Sequence, residues 1–115
     1  MPAAFVDTMR IRISAIDTLI TRDERAYAEY RFFISTAPYG PHVTAVDVMV
    51  RRDIVASGQV RCTVAVDLGQ CGRVKTQARA THPGAAIDRA ADRAAWLIGR
   101  RVGRDYSAKA AAFTS

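Results

Sequence analysis

Six segments of this 115-residue chain commit to a backbone period, and the order in which that period changes leaves few folds open. The first, "MRIRIS", sets Met9, Ile11 and Ile13 against Arg10, Arg12 and Ser14, the two-residue period of a strand with one wet face. The second, "TRDERAYAEYRFFISTAP", moves to a helical period. Ala26, Tyr30, Phe33, Ile34 and Ala37 share one side, which is the expected core face; Phe32 and Arg25 fall off it, Phe32 packing against a loop or free to stack. Thr21 suits the N-cap, Asp23 and Glu24 the first turn, and Pro38 the stop.

Three alternating segments follow. "HVTAVDVMVRRD" places Val46, Val48 and Val50 opposite Asp47, Met49 and Arg51. "QVRCTVAVDL" sends Val60, Cys62, Val64, Val66 and Leu68 inward and Arg61, Thr63, Ala65 and Asp67 outward. "GQCG" closes a hairpin onto "RVKTQARAT", with Val74, Thr76, Ala78 and Ala80 inward and Arg73, Lys75, Gln77 and Arg79 outward. The sixth segment, "HPGAAIDRAADRAAWLIGRR", is helical, with His82 at the cap, Pro83 in the first turn and Gly103 at the end. The order is β-α-β-β-β-α. Each helix has one stripe to bury, so both are expected on the apolar side of a four-stranded sheet, a two-layer α+β sandwich with an open sheet face rich in Arg and Lys. One domain spans 9–104, with a loose arm at 1–8 and a short flexible tail at 105–115.

Charge narrows the function classes. Fifteen Arg and two Lys against eleven acidic residues leave a net charge of +6. That balance suits nucleic acid or an anionic surface, and the preference for Arg suits fork-like contacts to phosphate. No apolar run approaches the roughly 18 residues of a membrane span, and no secretory signal precedes the first strand, so a cytoplasmic protein is expected. Cys62 and Cys71 are too few for a disulfide framework or a zinc site.

The last helix carries the sharpest functional signal. Ile87, Ala90, Ala91, Ala94, Ile98 and Val102 share one face, where the alanines allow close approach to a sheet. Arg89, Arg93, Trp96, Arg100 and Arg104 cluster within roughly 80° on the other side. A solvated face normally mixes signs; this one is purely Arg around an indole, a pairing that can neutralise phosphate and stack on a base. Asp88 and Asp92 lie toward its edge and read as salt-bridge partners. Arg73, Lys75 and Arg79 form a second basic row, suited to phosphate contact or to guarding a sheet edge. The two histidines, one opening a strand and one capping a helix, complete no catalytic or metal-ligating pattern. No enzyme activity, cofactor or metal is expected.

The element order, together with "VTAVDVMV", "RCTVAVDLG" and "AAIDRAADRAAWLIGRR", resembles the ribosome hibernation-promoting factor and ribosome-associated inhibitor family, also called ribosomal subunit interface proteins, from about Met9 to Arg104. The resemblance implies a fold like that of double-stranded RNA-binding domains. It also implies binding to the small ribosomal subunit over the tRNA and mRNA sites, which idles ribosomes. The family's rRNA-facing basic positions match Arg93, Arg100 and Arg104. Trp96 stands where another basic residue is usual, Gly84 replaces an aromatic, and His82 replaces a capping Asp. No counterpart of the long members' extra dimerisation domain is expected. The alternatives are a protein-interaction stress module of the same fold, anchored on Trp96, and a general structured-RNA binder.

Overall fold

The computed structural model describes residues 9–16, 20–53, 55 and 58–114, the last eleven of these in backbone only. Strand β1 (Arg10–Ile16) is followed by helix α1 (Arg22–Thr36), strands β2 (Ala45–Arg52), β3 (Val60–Asp67) and β4 (Arg73–Ala80), and helix α2 (Pro83–Thr114). The sheet order is β1-β2-β3-β4. β1 pairs with β2 in parallel, and the other two pairings are antiparallel. This mixed topology follows from the connections. A whole helix links β1 to β2, long enough for a parallel crossover, whereas short turns link the later strands. The expected α+β sandwich is the observed one, with both helices on one sheet face.

Alternation decides which side of each strand is wet. Val46, Val48, Val50, Cys62, Val64 and Val66 are buried under the helices, joined by Val74, Ala78 and Ala80 from β4. Burial pushes the Cys62 thiol up to about 12, as it must where no charge compensates a thiolate. From α2, Ala86, Ile87, Ala90, Ala91, Ala94 and Ile98 are fully buried, so the alanine face is the core face. The β3–β4 turn is a single 3₁₀ turn (Gly69–Cys71) closed by Gly72 at φ 92°, in the left-handed region that glycine enters without steric cost.

Helix α1 begins as its sequence indicates. Thr21 and Glu24 form a reciprocal capping box, the Thr21 hydroxyl accepting from the Glu24 N–H at 3.0 Å and the Glu24 carboxylate accepting from the Thr21 N–H at 2.8 Å. Its rotation is not the expected one. The buried side chains are Ala28, Phe32 and Thr36, while Tyr30, Phe33 and Ile34 are 62%, 52% and 47% exposed. At about 100° per residue the two sets lie on nearly opposite sides of the helix. Polar contacts to α2 select the observed rotation. Arg31, at the margin of the buried side, reaches Asp92 at 2.5 Å and Asp88 at 3.2 Å, and the Tyr27 hydroxyl donates to Asp88. Turning Tyr30 and Phe33 inward would swing Arg31 away from both carboxylates. Phe32 is therefore a core residue, neither a loop-packing nor a stacking one. Thr36 tolerates burial because its hydroxyl donates back to the Phe32 carbonyl at 2.7 Å. The displaced apolar side lines a groove of about 1140 Å³ with Met9, Ile11 and Val43.

Helix α2 runs through Gly103 to Thr114, past the stop assigned to that glycine and into the segment expected as a flexible tail. An isolated glycine costs about 1 kcal/mol in a helix, and the alanine-rich stretch beyond it propagates the helix despite that cost. The expected arm at 1–8 lies outside the described residues. Among those described, no helix is long and apolar enough to cross a membrane.

Candidate nucleic-acid interface

Both edges of the sheet are met by arginines from the helices above. On the β1 side, the Arg25 guanidinium donates to the Ile13 carbonyl at 2.6 Å. On the β4 side, Arg89 donates to the Arg79 carbonyl and Arg93 to the Gln77 carbonyl, each at 2.8 Å. Gln77 and Arg79 are two residues apart and so present their carbonyls on the same side of the strand. An edge strand normally leaves such groups to water or to a foreign strand, and here charge-assisted hydrogen bonds occupy them. Each guanidinium has five N–H donors, so one bond to the strand leaves several directed outward while the head group is held in place.

The stripe on α2 is thus a positioned array. Arg89 and Arg93 rise about 6 Å apart along the axis, over the β4 edge. They meet Arg79 and Asp92 around a hollow of about 320 Å³. Trp96 follows one turn later and is 60% exposed. The Arg100 guanidinium lies 4.8 Å from the Trp96 ring centroid, a cation–π contact at the surface. The side chain of Arg104 lies outside the described residues.

Asp88 and Asp92 do not neutralise the stripe. Both carboxylates turn toward α1 and pair with Arg31, whose guanidinium is held more firmly protonated by the Asp92 hydrogen bond in spite of partial burial. Asp88 and Asp92 thereby join the helices, and each has its ion pair on the α1 side rather than with an arginine of the stripe.

The second basic row belongs to the open sheet face. Register places Arg51, Arg61 and Arg79 side by side across β2, β3 and β4. Three adjacent cations would repel one another, and Asp53 answers them. Its carboxylate is fully buried, 3.1 Å from Arg61 Nη2 and 2.7 Å from Arg79 Nε. Arg79 is therefore partly committed to the fold, whereas Arg73 and Lys75 are exposed farther along β4. At the far edge, Arg12 is 4.0 Å from Asp47. The structure brings Arg79, Arg89 and Arg93 together at one edge and Trp96 with Arg100 beside them. Arg73 and Lys75 stand on the sheet face around the corner.

Two features of this surface were not legible in the sequence analysis. Asp53 lies in an irregular segment after the strand, with no periodicity to mark it as buried. Arg101 donates to the Cys71 carbonyl at 3.2 Å and ties α2 to the β3–β4 turn, a partner 30 residues away that helical period does not indicate. Among the described residues, no three His, Cys, Asp or Glu side chains converge as metal ligands.

No family model matches the chain, and no curated protein matches its sequence. Solved structures do match. The N-terminal domain of Protein Y from Thermus thermophilus superimposes with a TM-score of 0.64 at 25% identity, over 77% of this chain and 93% of that one. A ribosomal subunit interface protein from Coxiella burnetii superimposes with a TM-score of 0.73 over 83% of this chain and 99% of that one, at 12% identity, where the likeness is one of fold. The chain therefore has the fold of the ribosomal subunit interface proteins, and its resemblance to the hibernation-factor family extends from the sequence to the three-dimensional structure.

Proposed function

We propose that this protein is a cytoplasmic ribosome-associated factor that binds the small ribosomal subunit and idles it, through the basic face of α2 and the adjoining edge of β4. The observation that carries the reading is the unneutralised Arg89–Arg93–Trp96–Arg100 array on a fold shared with Protein Y. Arginine heads held against a sheet edge meet a rigid phosphate backbone at little entropic cost, which suits recognition of folded RNA by shape. Arg73, Lys75 and Arg79 extend the same positive field along β4. Occupying the tRNA and mRNA sites is then a binding function, with no chemistry asked of the protein.

The test is co-sedimentation of the full chain with purified small subunits in the presence of excess bulk RNA. Arg93→Glu with Arg100→Glu replaces two attractive contacts by repulsive ones and should reduce binding at least a hundredfold while circular dichroism remains unchanged. Undiminished binding by that folded double variant removes the stripe from the mechanism. Complete competition by bulk RNA would replace the ribosome by structured RNA in general.

A further inference from the structure

The α2 stripe ends in a group that phosphate does not explain. Trp96 is the only tryptophan in the chain and is 60% exposed, and the Arg100 guanidinium lies 4.8 Å from its ring centroid. We propose that Trp96 and Arg100 form a seat for one unpaired nucleobase of RNA, next to the phosphate-binding positions Arg89 and Arg93. The proposal rests on the RNA-binding reading above and adds the kind of RNA that this end of the stripe takes.

Three observations converge on that ligand. The indole stands on a convex helix surface, where it cannot reach a base stacked inside a duplex but can receive one that is splayed out. Its neighbour Arg100 lies over one indole face as a planar cation, so the pair is a short stack that a base extends on the uncovered indole face or on the outer guanidinium plane. Upstream on the same side, Arg89 and Arg93 are held by the Arg79 and Gln77 carbonyls, so the backbone leading to the base meets fixed donors. A protein partner laying an apolar side chain on Trp96 would also cover Arg93 and Arg100. Among the described residues neither has an acidic partner, and burying such cations unpaired is costly. An RNA strand supplies the ring and the neutralising phosphates together.

Because Trp96 is the sole tryptophan, its emission reports the seat directly. The full chain is titrated at low salt with a single-stranded octaribonucleotide, with a blunt RNA duplex of equal length, and with inorganic polyphosphate. The single strand should quench Trp96 saturably, while duplex and polyphosphate bind with little change in emission. In anisotropy titrations of the labelled single strand, Trp96→Leu should weaken binding about ten- to a hundredfold, the range of one lost base stack. Duplex affinity should change less than twofold. Equal quenching by polyphosphate overturns the proposal, as does single-strand binding by Trp96→Leu that matches the parent chain. Loss of a protein partner from Trp96→Leu with RNA affinity intact overturns it in favour of a protein anchor. If small subunits and duplex bind but emission never responds, the base seat fails alone. If no RNA of any form binds, the RNA-binding reading fails with it.

Discussion

Phe32 and Phe33 are adjacent in sequence and opposite in fate, one fully buried and the other 52% exposed. Helical period alone assigns Phe33 to the core, since it shares a side with Ala26, Tyr30 and Ala37. The assignment fails because α1 has two candidate stripes, and the choice between them rests on Arg31 meeting Asp88 and Asp92 on another helix. Removing each ring in turn makes the distinction measurable. Phe32→Ala should cost about 4 kcal/mol in urea unfolding, as for a large side chain deleted from a packed core. Phe33→Ala should cost less than about 1 kcal/mol, since much of that ring is already in water. Reversed costs, with Phe33→Ala the more destabilising, would mean that the helix sits in the rotation its own apolar pattern prefers.

Among the elements, the strands and α2 were legible from period and α1 only in part. Valine alternation in β2 and β3 leaves a single way to bury one face, because a slip of one residue would turn every valine into water. The alanine face of α2 is equally unambiguous. The edges were not legible, since an arginine that guards a strand and one that waits for phosphate look alike in a sequence. Arg89 and Arg93 hold the strand carbonyls and, in the proposed function, also meet phosphate, and the two roles separate on substitution. Arg89→Ala with Arg93→Ala frees the Arg79 and Gln77 carbonyls and should produce concentration-dependent self-association by light scattering, even without RNA. Lys at both positions keeps the charge but loses the planar fork, and should restore RNA affinity more fully than solubility. A double-alanine variant that stays monomeric at high concentration would show that the β4 edge needs no guard.

Across the whole molecule, the net charge of +6 becomes a directed surface through the distribution of the acidic residues. Asp88 and Asp92 pair with Arg31 of α1 and Asp53 lies under the sheet-face arginines, so among the described residues Arg89, Arg93 and Arg100 keep no ion-pair partner and the α2 stripe carries an excess of positive charge. With about five phosphates engaged, the logarithm of the small-subunit association constant should fall against the logarithm of salt concentration with a slope of roughly −3 to −4.5. A slope near zero would point to an apolar interface, and the exposed Tyr30 and Phe33 would then be the residues to substitute. Composition set the sign of this field, and the ion pairs between elements decided where it points.

By itself the sequence determined the element order, the inner face of every strand, the core face of α2 and the positive stripe across from it. Each of these is a local periodicity, and a local periodicity survives in any compact arrangement that buries apolar side chains. The tertiary structure alone decided the rotation of α1, the burial of Asp53, the division of labour between Arg101 and its neighbours, and the anchoring of Arg89 and Arg93 on β4. All four depend on hydrogen bonds and ion pairs between segments far apart in the chain. Such pairs stabilise a structure only after folding has brought both partners out of water together, and no spacing along the chain encodes them.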